Sequence, residues 1–131
     1  MTSRVYILPL VLVLTYSCGE DFNETDDLAR LAALKTELAL LVGEASCSEL
    51  SECRALPFGA KPCGGPWEYL IYSSINSDTL KIKETVDEYN EWNMVLNKRY
   101  GYTSDCSHAE TPQLLCLNGK CVDRNKVGET P

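Results

Sequence analysis

The 131-residue chain contains one histidine, His108, two phenylalanines, two tryptophans and no Cys-x-x-Cys pair. Thiolate–imidazole zinc sets need such pairs or a second histidine, so no metal centre is expected. No segment has the glycine spacing of a phosphate loop or a dinucleotide fingerprint, and no cofactor is expected. Basic residues are scarce, 12 against 19 acidic ones, which leaves a net charge of −7. Phosphate backbones and anionic lipid surfaces repel such a chain, so nucleic acid is not an expected partner. After Leu14 no apolar run is long enough to span a bilayer.

What is present begins with a leader. Met1 to Arg4 carries one positive charge, and Val5 to Leu14 is uninterrupted apolar sequence. Ten helical residues span about 15 Å against a hydrocarbon core of about 30 Å, so residues 1–17 read as a signal peptide and not a membrane span. Thr15-Tyr16-Ser17-Cys18 resembles the lipobox of bacterial lipoproteins, in which a small residue precedes the cysteine that receives lipid. Ordinary signal peptidase is the alternative, since Thr15 and Ser17 are small at the positions it reads. The cysteine count favours the lipoprotein route. With Cys18 lipidated, Cys47, Cys53, Cys63, Cys106, Cys116 and Cys121 pair evenly into three disulfides in an oxidising compartment. Otherwise Cys18 is a free or intermolecular thiol of a soluble secreted protein, and Asn23-Glu24-Thr25 is a glycosylation acceptor in a eukaryotic host. Removing residues 1–17 takes away Arg4 and no acid, so 11 basic and 19 acidic residues remain, a net charge of −8.

The lipobox resemblance implies an outer-membrane or cell-surface protein held in the membrane through acyl chains on Cys18. Residues 18–24 are then an acidic tether, similar to the acidic stretch that follows the lipid cysteine in some surface-exposed lipoproteins. Next comes an amphipathic helix over 25–43, with Thr25 as its cap and Leu28, Leu31, Leu34, Leu38 and Leu41 on one face. Gly43 ends it, and the leucine face is expected to dock onto the domain that follows. Residues 45–125 form that domain, and residues 126–131 read as a disordered tail.

Within the domain, Cys53 to Phe58 reads as a strand stopped by Pro57, and Trp67 to Tyr72 as a second strand, with a helix opened by Pro66 as its rival. A helix capped by Ser77 or Asp78 runs to about Tyr100. It carries Ile82, Val86, Tyr89, Leu96 and Tyr100 on one face, Asn93 in the same seam and Gly101 as its stop. Asn118-Gly119 between two apolar segments is a hairpin turn that sets Leu117 opposite Lys120 and Cys116 opposite Cys121. A Cys116–Cys121 bridge fits that register, but each cysteine can also reach elsewhere, and six cysteines allow 15 connectivities. The fold class is α+β: a small disulfide-rich domain with two helices and a short antiparallel sheet.

Three stretches are candidates for function. Cys63-Gly64-Gly65-Pro66-Trp67-Glu68-Tyr69-Leu70-Ile71-Tyr72-Ser73 resembles a motif of exported, cysteine-rich bacterial proteins with a similar downstream cysteine arrangement, a likeness that spans roughly Cys47 to Val122 and implies no activity. A glycine-rich loop beside a disulfide is rigid and loses little entropy on binding, which makes Lys61, Gly64, Gly65 and Trp67 candidate binding residues. Its other reading is a tight structural corner. Cys53-Arg54-Ala55 resembles the reactive segment of small serine protease inhibitors, Kunitz types among them, which implies Arg54 in a protease specificity pocket. Trp67, Tyr69, Tyr72, Tyr100 and Tyr102 are the candidates for a glycan or peptide groove if their rings are exposed. Ser104-Asp105-Cys106-Ser107-His108 holds the residue types of a hydrolytic triad, but such triads assemble from separate elements, and a polar loop is the expected reading. The expectation is therefore a non-enzymatic, lipid-anchored envelope or surface protein whose domain binds a protein or other partner or plays a structural part. A secreted inhibitor presenting Arg54 and a glycan- or peptide-binding module are the alternatives.

Overall fold

The computed structural model describes residues 23–128. The expected signal peptide, Cys18 and the tether up to residue 22 lie outside them, as do residues 129–131. The described chain runs α1 (Glu24–Val42), a 3-10 turn (Leu50–Glu52), β1 (Cys53–Phe58), β2 (Glu68–Ser73), α2 (Thr79–Tyr100), β3 (Leu114–Leu117), β4 (Lys120–Asp123) and a closing 3-10 turn (Arg124–Lys126). It is a small disulfide-rich α+β domain.

The leucine spacing makes α1 as expected, but its cap is Asn23, not Thr25. The Asn23 side chain accepts the Thr25 N–H at 3.0 Å, which satisfies one of the free donors of the first turn. Leu31, Leu34 and Leu38 are buried, and Leu28, near the start of α1, is exposed. Helix α2 is capped by Asp78, whose carboxylate accepts the Lys81 N–H, and ends at Gly101 in the left-handed conformation. The two helices lie antiparallel. Asp27 at the start of α1 meets Arg99 at the end of α2, Arg30 meets Glu88, and Glu37 meets Lys81.

β1 and β2 pair antiparallel, with Arg54 opposite Tyr72 and Phe58 opposite Glu68. The period-2 alternation of the ribbon gives each face a different core. Leu56, Phe58, Leu70 and Tyr72 face the helices and pack with Leu38, Ile82 and Val86. Phe58 stacks on Tyr89 with ring centroids 4.3 Å apart. Cys53 and Ile71 face the other way, into a second cluster with Cys47, Cys121 and Leu114. Pro57 lies within β1 and does not stop it. Its carbonyl accepts from Asn90 on α2, so the donor that proline lacks would have pointed toward the helix and not into the β2 ladder.

The strands form two separate two-stranded sheets where a single sheet was expected. The β3–β4 hairpin turns at Asn118 and Gly119, both at positive φ, and sets Cys116 opposite Cys121 as the register requires. These two cysteines do not bond to each other. Cys47 pairs with Cys116 and Cys53 with Cys121, so the hairpin is stapled covalently and shares no ladder with β1 or β2. Backbone bonds from Cys47 N–H to Gly119 and from Cys121 N–H to Ala45 lay residues 45–47 along the hairpin. A chain of this size has a modest apolar core, and the paired disulfides serve as the second one.

Candidate functional site

Construction of the site starts on α2. Asn90, Asn93 and Asn97 follow one another at spacings of three and four, on the face that carries Val86 and Tyr89. Asn90 Oδ1 accepts the Gly59 N–H at 2.7 Å, and its Nδ2 donates to the Pro57 carbonyl at 3.1 Å. Asn93 Oδ1 accepts the Ala60 N–H at 2.7 Å, and Asn97 Nδ2 donates to the Ala60 carbonyl at 2.7 Å. Three side-chain amides thus satisfy the backbone of the segment that leaves β1, in place of another strand. Of the three only Asn93 was legible, as a gap in the apolar seam, because nothing local shows which backbone an amide will meet.

That segment leads into a covalent and polar knot. Gly59 lies so close to Trp67 that a β-carbon there would come within 2.8 Å of the indole. Lys61 N–H donates to Gly65, and Gly64 N–H donates to Lys61, closing a tight turn in which Gly64 and Gly65 both have positive φ. The glycines therefore serve the corner itself. The Cys63–Cys106 disulfide joins this turn to the 104–107 loop. Lys61 is only 7% exposed. Its ammonium donates to the Ser107 carbonyl and to Ser107 Oγ, lies 3.6 Å from Asp105 and sits 5.0 Å from the centroid of the Trp67 ring. A buried ammonium needs such partners. The Ser107 N–H and hydroxyl, with Lys61 nearby, hold the Asp105 carboxyl below its ordinary pKa. Asp105, Cys106 and Ser107 are thus engaged in holding the loop, and the segment with triad residue types is the clasp over Lys61.

Trp67, 46% exposed, also lines a groove of about 280 Å³ between the start of β2, the segment before β3 and the closing 3-10 turn. Tyr69 and Pro112 supply further apolar wall, while Glu110, Asn125 and Lys126 bring charge and polarity. Asp123 forms part of the wall although only 8% of it is exposed. Its Oδ1 accepts the Gln113 and Asn125 N–H groups at 2.9 and 3.1 Å. Its Oδ2 has no hydrogen-bond partner among the described residues.

The other sequence candidates lie apart from this groove. Arg54 is exposed on β1, and its guanidinium donates to the Ser51 and Cys53 carbonyls, folded back on its own backbone. The aromatic row divides: Tyr72 is buried in the core, and burial raises its phenol pKa. Tyr100 and Tyr102 instead tie the helices together, through hydroxyls that donate to Asp27 and Glu24. Only Trp67 and Tyr69 of that row line the groove. The sulfurs of Cys47, Cys53 and Cys121 lie within 4.8 Å of one another, but in disulfides they offer no thiolate. Asp123 and Glu110 were not singled out in the sequence, since isolated acids in an acidic chain carry no pattern.

Compared with known proteins, the chain matches no family model, no curated protein and no solved structure. Among the described residues no helix is long and apolar enough to cross a membrane. Three disulfides are consistent with an extracellular or exported protein.

Proposed function

We propose that this is a non-enzymatic, lipid-anchored protein of the cell envelope or surface, held through Cys18, whose domain binds a ligand in the Trp67 groove. The groove carries the reading: a half-exposed indole stands beside a buried carboxylate with an unused oxygen, on a scaffold locked by the Cys63–Cys106 disulfide. Concave sites with apolar walls and a few convergent polar groups are where proteins take small ligands or side chains. Rigid walls lower the entropy cost of doing so. The anchor is supported by cysteine use. Three disulfides consume the six cysteines after Cys18 and leave the seventh for another fate.

Two measurements test the two halves. Intact mass of the protein from its native host, before and after reduction, should show acyl chains on Cys18 and a gain of six hydrogens. An unmodified chain would remove the anchor. For the groove, a photo-crosslinking residue placed at position 109, in the groove wall, should yield a defined adduct in the living host, where the same residue at position 84 on the exposed face of α2 should not. Equal or absent adducts at both positions would remove the groove as the binding site.

A further inference from the structure

The two tryptophans of this chain meet different cations, guanidinium groups at Trp92 and the Lys61 ammonium at Trp67. Trp92 is dressed by guanidinium groups. Arg30 Cζ lies 4.2 Å and Arg99 Cζ 5.3 Å from its ring centroid, and each arginine is held by a carboxylate, Arg30 by Glu88 and Arg99 by Asp27. The planar cation stacks on the indole while its donors engage an acid, a combination that suits arginine better than lysine. At Trp67 the indole and the acids are present, but no guanidinium is. Glu110 and Asp123 line the groove with it, and Lys126 is the one basic side chain among the lining residues. Lys61, the cation already near the ring, is committed to Ser107 and Asp105. Asp123, which lines the groove, keeps its Oδ2 free of donors among the described residues, an acceptor that an incoming guanidinium can use.

We propose that the groove receives an arginine side chain from a basic segment of a partner protein, the guanidinium stacking on Trp67 and donating to Asp123 and Glu110. This deepens the reading of the groove as the binding site and rests on it. The net charge of −8 that remains without residues 1–17 (11 basic, 19 acidic) steers such a segment toward the domain. The volume of about 280 Å³ admits one long side chain and not a folded surface.

The test uses the protein purified from its host in detergent, with its disulfides intact, and a pair of short basic peptides identical except for one arginine replaced by citrulline. Citrulline keeps the shape and removes the charge. Nuclear magnetic resonance of the two indole N–H groups reads the outcome, with Trp92 as internal reference. The expected result is a titrating shift at Trp67 and not at Trp92, weakened about tenfold by citrulline, which corresponds to one charge-assisted cation–π contact. Glu110→Gln, at an exposed side chain, should weaken the arginine peptide several-fold, and Glu84→Gln on α2 should leave it unchanged. Equal binding of the arginine and citrulline peptides, or no shift at Trp67 with either, overturns the inference. A neutral oligosaccharide that shifts Trp67 where the peptides do not would also overturn it, while leaving the groove as a binding site.

Discussion

Replacing Asn90 by alanine removes the amide with two bonds to the Trp67-bearing segment, while sparing every apolar contact of the core. The Gly59 N–H, in a buried residue, loses its acceptor at 2.7 Å, and an unsatisfied buried donor costs about 1–3 kcal/mol. The Pro57 carbonyl loses its donor at 3.1 Å; Pro57 is exposed, so water replaces most of that bond and the loss is about 0.5 kcal/mol. Alanine returns roughly 0.5 kcal/mol through its better helix propensity. The net destabilisation is therefore about 2 kcal/mol. For a domain of this size it lowers Tm by roughly 10 °C. Thermal unfolding of the oxidised protein by circular dichroism measures it, with Glu84→Ala on the exposed face of α2 as the control. Trp67 should also report the change before global unfolding, because Gly59 packs against its ring. A Tm within about one degree of the parent would refute the claim that side-chain amides, and not the disulfides, hold this segment to α2.

Three other outcomes follow from the same geometry. The Cys63–Cys106 disulfide is the exposed one, so limited reduction and alkylation should label these two cysteines before Cys47, Cys53, Cys116 or Cys121, and replacing both by serine should cost about 2–4 kcal/mol in denaturant unfolding. Gly59→Ala places a β-carbon against the indole at a φ of 76°, which should cost at least about 1–2 kcal/mol and move the Trp67 resonance, as a spectrum of the folded variant would show. The helix-to-helix ties predict stability that falls at both pH extremes. Hydrogen bonding from Tyr100, joined by Arg99, holds the Asp27 carboxyl below its ordinary value, so its contribution is present above the usual carboxylate range and lost as pH falls through the lowered folded value. The bond to Glu24 pushes the Tyr102 phenol up from 10.0 to about 12, so its contribution is present below pH 10.0 and lost as pH rises toward about 12. Asp27→Asn should flatten the acid limb of a Tm–pH profile and Tyr102→Phe the alkaline limb; unchanged limbs would contradict these assignments.

Elements governed by near neighbours were legible in the sequence. The leucines of α1 and the seam of α2 repeat at helical spacing, and both helices appeared within a residue or two of the expected bounds. Asn118-Gly119 demands positive φ at two consecutive residues, which only a hairpin turn of that kind uses, and the cross-strand register followed. Departures arose where two elements compete for one role. Asn23, two positions upstream, displaced Thr25 as the cap because the helix already begins at Glu24. Pro57 stayed in β1 because its outer side meets Asn90 and not another strand.

The sequence by itself determined both helices and the closing hairpin, the left-handed corners at Gly64, Gly65 and Gly119, and a cysteine set able to form three bridges, because each depends on residues a few positions apart. Tertiary structure decided what those elements do to one another. It sent Cys116 and Cys121 to Cys47 and Cys53 across 69 and 68 residues, although the two face each other in the hairpin. It also turned three asparagines of α2 into a backbone clamp, buried Lys61 under Ser107, and brought Asp123 to the wall of a groove with Trp67, 56 positions earlier in the chain. A hydrogen bond or disulfide between distant residues is worth forming only once the intervening chain has packed, and no local pattern records the geometry that packing supplies.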